Sequence, residues 1–173
     1  MVDEKYSSSS HIFTDGSKNT DGKVGCGIHD SINNRFIALP NQCSVFSSEA
    51  YALMDALQNT QTPNPPVIFS DSASVLKAVS GGNLKHLWIT TISEKALNRK
   101  ATLVWIPGHA GIPGNVAADR LALRGTEETP LSISIPQQDA YRYVKNQLSL
   151  AWERKWVENR TAKLREAKNS TLK

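Results

Sequence analysis

The chain has 173 residues, 39% of them hydrophobic, and a formal net charge of +4, enough apolar content for one buried core and too much for a disordered polypeptide. No apolar run approaches the 18 or so residues of a membrane helix, and Met1-Val2-Asp3-Glu4-Lys5 lacks the features of a signal peptide, so an intracellular, membrane-free, monomeric protein is expected. The charge is uneven: residues 137–173 carry nine Lys/Arg against four Asp/Glu, while residues 1–136 carry eleven against twelve, and a basic segment attracts polyanions through counterion release.

In chain order, residues 1–10, ending in four serines, read as a flexible leader. Three short strands are predicted at 11–15, 23–30 and 34–40, separated by glycines and by Asn33-Asn34, in the manner of an antiparallel meander. A helix over 44–60 follows, since Phe46, Ala50, Leu53 and Leu57 share one face, Ser44 suits the N-cap and Pro63 lies just beyond the end. The apolar run Pro66-Val67-Ile68-Phe69-Ser70 reads as a buried strand, followed by a helix at 72–80 that stops at Gly81-Gly82. A further helix at about 84–99, a strand at 102–106 and a short helix ending near Gly125 complete the order βββαβαβα, with one helix extra. The two cysteines, Cys26 and Cys43, are expected to be reduced core thiols, because a domain of this size needs no such staple.

Four carboxylates stand at the junctions of these elements: Asp15, Glu49, Asp71 and Asp119. Taken singly, each has an ordinary reading, as a turn residue, a helix-end decoration, a cap and a solvated side chain. Topology joins two of them, because a parallel strand return crosses over right-handed and most simply lays the strand ending at Asp71 beside the strand ending at Asp15. Open α/β sheets hold ligands at such C-terminal edges. Glu49 and Asp119 sit on helices able to reach the same edge, and Asn115, four residues before Asp119, is placed to orient it.

Converging acids repel one another unless a cation offsets them. Two divalent ions about 4 Å apart repel by roughly 16 kcal/mol at an effective dielectric near 20, so a two-metal site needs several anionic ligands plus a substrate phosphate. Oxygen-only ligation favours Mg²⁺, with Mn²⁺ able to substitute. The chemistry indicated is phosphodiester hydrolysis by in-line attack. His109, in the Gly/Pro-rich loop Pro107-Gly108-His109-Ala110-Gly111-Ile112-Pro113-Gly114, is a candidate proton shuttle, because imidazole as a side-chain type titrates near neutrality. Asp55 is set aside, six residues after Glu49 and turned away from it. The acidic run after Asp15 has its glycine out of place for a calcium loop, and the glycine spacings match neither nucleotide-binding pattern.

Thr14-Asp15-Gly16-Ser17, Ser48-Glu49-Ala50, Ser70-Asp71-Ser72 and His109-Ala110-Gly111-Ile112-Pro113-Gly114-Asn115, followed by Ala118-Asp119, together resemble type 1 ribonuclease H over about residues 11–125. The compact form and the Trp-containing basic tail look most like the ribonuclease H domain of a non-LTR retrotransposon polyprotein. The resemblance implies an α/β fold with a five-stranded mixed sheet and helices on both faces, and Mg²⁺-dependent cleavage of RNA in an RNA/DNA hybrid. It also implies Asp15, Glu49, Asp71 and Asp119 as metal-binding catalytic acids, His109 as the mobile proton-transfer residue, and reverse transcriptase and endonuclease domains as neighbours in a parent polyprotein. Gly16, Ser17, Ser48, Ser72 and Asn115 are candidate contacts to the RNA strand, whose 2′-hydroxyls mark it as RNA. Residues 82–100 lack a long basic, Trp-rich insertion found in some bacterial relatives.

The catalytic domain is expected over 11–130, with a linker and basic C-terminal helix over 131–173. Tyr141, Val144, Leu148, Trp152 and Trp156 form an apolar stripe at helical spacing, among Arg142, Lys145, Arg154, Lys155 and Arg160. Packing on the domain and stacking on nucleic acid are both open to it. The alternatives to the nuclease are a catalytically inactive hybrid-binding module of the same fold and a transposase or integrase, which would need a late Glu where this chain has Asp119.

Overall fold

The computed structural model describes residues 10–30, 32–62, 64–82 and 86–158, in two compact units that divide after Asp139. Apart from Ser10, the predicted leader lies outside the described residues, as do Pro63 and Arg160. Five strands, β1 (His11–Lys18), β2 (Val24–Asp30), β3 (Arg35–Leu39), β4 (Val67–Ser70) and β5 (Thr102–Trp105), form one sheet in the order β3-β2-β1-β4-β5. The meander β1-β2-β3 is antiparallel, and β1-β4 and β4-β5 are parallel. The helices are α1 (Val45–Asn59), α2 (Ala73–Ser80), α3 (Leu87–Asn98), α4 (Pro113–Gly125) and α5 (Gln137–Glu158). This is the five-stranded mixed α/β sheet expected from the sequence, with each predicted element present and its ends shifted by a few residues.

Strand alternation distributes the core between the two sheet faces. Val24, Cys26 and Ile28 of β2 point into the larger cluster with Ile12, Ile68, and Ala50, Leu53 and Leu57 of α1. The intervening Gly25 and Gly27 have no side chain, and α4 lies directly on them: a Cβ on Gly27 would run into the Ala118 carbonyl oxygen and the Ala122 amide nitrogen. Phe13 and Phe69, on that same second face, stack at 4.9 Å between ring centres and pack with Val67 and Ile106. Helices therefore cover both faces, and α4 sits close enough to carry its residues to the sheet edge.

Two further contacts hold the first unit together. Asp55 is buried and ion-paired at 2.8 Å with Arg35 Nε, and it accepts from Asn59 Nδ2, so it ties α1 to β3. Residues 131–136, expected as linker, belong to the first unit: the Leu131 amide donates to the Ala38 carbonyl, and Ile133 and Ile135 pack on the core. Both cysteines are free and buried. In the second unit, Trp152 and Trp156 stack at 5.9 Å along the helix, as their i, i+4 spacing requires.

Candidate active site

The parallel register pairs Thr14 with Ser70, so the next residue of each strand, Asp15 and Asp71, emerges at the same edge. Glu49 arrives from the first turns of α1, whose N-cap Ser44 accepts the Ser47 amide. Gly16 makes this approach possible, since a Cβ there would stand 2.5 Å from both the Glu49 nitrogen and Ser48 Oγ. One carboxylate oxygen from each of Asp15, Glu49 and Asp71 lies within 4.8 Å of the other two. Asp119, exposed on α4, lines the same pocket of about 260 Å³ but stands outside this group of three; His109 and Asn115 also line it.

Asp15 and Glu49 are 7% and 8% exposed, and the electrostatics follow from that burial. Desolvation first, then the charges of Asp71 and Asp119, push the Asp15 carboxyl up to about 7, against a stabilising Gly16 backbone hydrogen bond. Burial and then the Asp15 and Asp71 charges hold Glu49 well above the ordinary carboxyl range. Glu49 Oε2 is buried with no hydrogen-bond partner among the described residues. Three clustered hard oxygens, two of them costly to ionise alone and one lacking a donor, fit a divalent cation, which would favour the charged form of each.

Other residues supply the scaffold. Asn115 donates to Asp71 Oδ2 at 3.1 Å, so its amide serves the neighbouring strand end, and the expected pairing with Asp119 along one helix face gives way to a contact across 44 residues. Trp105 Nε1 donates to the Asp71 carbonyl oxygen at 3.2 Å, a support that the sequence signalled only as a strand tryptophan. Gly108 lets the loop reach Asp71, whose Oδ2 would be 2.9 Å from a Cβ there. His109 adopts φ 54°, unusual for a residue with a side chain, and Gly111 follows at φ 72°.

Among the candidate substrate contacts, Gly16 and Asn115 line the pocket, and Ser17, Ser48 and Ser72 do not. The sequence placed the Ser48 hydroxyl toward substrate; it is fully buried and donates to the Val45 carbonyl at 2.8 Å. Ser72 Oγ instead pairs with Ser74 Oγ.

A match to the RNase H family covers residues 7–127. A ribonuclease H of Rhizobium etli is 32% identical over 67% of this chain and 90% of its own length. A ribonuclease H of Pseudomonas putida is 28% identical over 70% of this chain and 96% of its own; human ribonuclease H1 is 26% identical over 68% of this chain and half of its own. The matched stretch includes every residue of the pocket, and the chain belongs to the RNase H family.

Proposed function

We propose that this protein is a Mg²⁺-dependent endonuclease that hydrolyses the RNA strand of RNA/DNA hybrids by a two-metal mechanism, with Mn²⁺ able to replace Mg²⁺. The observation that carries the reading is the convergence of Asp15, Glu49 and Asp71 oxygens within 4.8 Å, on a chain of the RNase H family. The relatives named ribonuclease H support the substrate class. Asp119, which lines the same pocket, is the fourth acid of the set and would help to hold a second cation.

When bound, the divalent cations supply Lewis-acid activation of the attacking water and charge stabilisation at the leaving oxygen. The chain's own residues do the rest. Asn115 and Trp105 hold Asp71 by its side chain and its carbonyl, so the ligand oxygen is fixed before substrate arrives. His109, on the exposed loop beside the pocket, accepts a proton released by the attacking water and delivers one to the departing 3′-oxygen, which leaves as a hydroxyl. The Gly16 backbone lines the pocket beside the acids, where it would meet a sugar-phosphate strand whose 2′-hydroxyls distinguish RNA.

The Trp-containing basic tail and the motif set support an origin in a retrotransposon polyprotein, with reverse transcriptase and endonuclease domains as neighbours. Incubation of the protein with a labelled RNA/DNA hybrid, with Mg²⁺ and with chelator, tests the main reading. Cleavage confined to the RNA strand and to the Mg²⁺ sample is expected, with RNA/RNA and DNA/DNA duplexes intact. Hybrid binding without cleavage would overturn it in favour of an inactive module of the same fold.

A further inference from the structure

Ser44 begins α1 with half of a capping box. Its Oγ accepts the Ser47 amide at 3.2 Å, but position N3 of the helix is Ser47, where a capping box has a Glu or Gln that reaches back to the N-cap amide. No acid lies in the first turn of α1. The missing acceptor comes from 95 residues away: Asp139 Oδ2 accepts the Ser44 N–H at 3.0 Å. Asp139 is 2% exposed, and its own amide is held by the Pro136 carbonyl at 3.0 Å. A buried carboxylate at this positively polarised helix end is favourable both as acceptor and as charge.

From this anchored turn the backbone runs directly into the metal-binding end of the helix. Ser48 and Glu49 rest on Gly16 with no space for even a methyl group; a Gly16 backbone hydrogen bond meets the Glu49 carboxyl, while its Oε2 has no partner among the described residues. The placement of that oxygen is therefore inherited from the placement of the helix start. We propose that Asp139 is a positioning residue for the active site: by completing the Ser44 cap it sets the Glu49 carboxylate at the distance that divalent-cation binding requires. This rests on the metal-dependent nuclease reading above. Cys43 and His86 face Asp139 electrostatically, Lys18 faces Cys43, and none of them supplies an acceptor to the Ser44 amide.

The test compares the full chain with Asp139→Ala, Asp139→Asn and Asp139→Glu, measuring Mn²⁺ affinity by calorimetry without substrate and KM for a hybrid at saturating Mg²⁺. Asp139→Ala is expected to bind Mn²⁺ about tenfold more weakly, as other changes to groups that orient metal ligands do, with KM for the hybrid unchanged. Asp139→Asn retains a carbonyl oxygen for the Ser44 amide and should remain within about twofold of the parent. Wild-type Mn²⁺ affinity in Asp139→Ala, with only a lower melting temperature, would make the contact merely structural and overturn the proposal. Should Asp139→Ala not fold, Asp139→Glu decides: it keeps the charge but shifts the acceptor by a methylene, and unaltered affinity there overturns the proposal equally. A parent protein that neither binds Mn²⁺ nor cleaves hybrid would instead sink the nuclease reading itself.

Discussion

At the scale of single residues, Asp71 is the carboxylate with the most support, receiving the Asn115 amide on its side chain and the Trp105 indole on its carbonyl. Asp71→Asn preserves shape and removes the charge, so we expect a normally folded protein by circular dichroism that does not cleave hybrid; full activity would contradict the assignment. His109 lines the pocket without belonging to the clustered carboxylates, and His109→Ala should lower kcat by about a hundredfold, the scale of one general acid–base group, with Mn²⁺ affinity nearly intact in a calorimetric titration. Asp15 gives a pH signature. It keeps its proton to about 7 when folded, against 3.8 for an unperturbed carboxyl, so between those values the folded state binds more protons and metal-free stability falls as pH rises. That contribution is whole below 3.8 and gone above 7, and Glu49 acts in the same direction. Buried His86, its pKa held below 6.5, opposes this as pH falls, but Mg²⁺ acts on the carboxylates. The Mg²⁺-induced stabilisation, seen as a rise in melting temperature, should therefore grow from pH 5 to pH 8 and approach about 2.7 kcal/mol at a hundredfold excess over Kd; a pH-independent rise would refute it.

At the scale of elements, α4 reaches the site because β2 presents Gly25 and Gly27 to it. In Gly27→Ala the new methyl meets backbone atoms of Ala118 and Ala122, which have no rotamer to change, so the whole helix must lift. A loss of about 3 kcal/mol in denaturant unfolding is expected, together with lower kcat, since Asn115 and Asp119 ride on the same helix; parent-like stability would show that α4 is not seated as closely as described. The adjacency of Asp15 and Asp71 was legible in the sequence because a crossover rule fixes which strand ends meet. The Ser44 cap was legible because capping is local. What could not be read were contacts set by packing: helical spacing pairs Asn115 with Asp119, whereas the fold turns it to Asp71, and nothing near Ser48 announces that its hydroxyl would be spent on Val45. Asp55 is not among the residues that line the pocket, and its ion pair with Arg35 depends on how α1 lies over β3. Asp139 escaped notice for the same reason, as an acid far from the motifs in a segment read as linker and tail.

At the scale of the whole molecule, the division after Asp139 separates two contributions that a single truncation would confound. All nine basic residues of the segment 137–173 lie beyond Asp139, whereas the Ser44 acceptor is Asp139 itself. A chain ending at Asp139 loses the positive charge and keeps the anchor. If the tail meets nucleic acid, hybrid affinity should fall, and the slope of log affinity against log salt should shrink by about 0.9 for each phosphate contact removed, while kcat at saturating hybrid and Mn²⁺ affinity hold. An unchanged slope in a fluorescence-anisotropy titration would confine the Trp152 and Trp156 stripe to a packing role. A chain ending at Pro136 removes both, and should show the same reduced slope with weakened Mn²⁺ binding added. The difference between the two truncations then isolates the anchor from the charge, because the residues that distinguish them, Gln137 to Asp139, contribute no positive charge that could attract the hybrid.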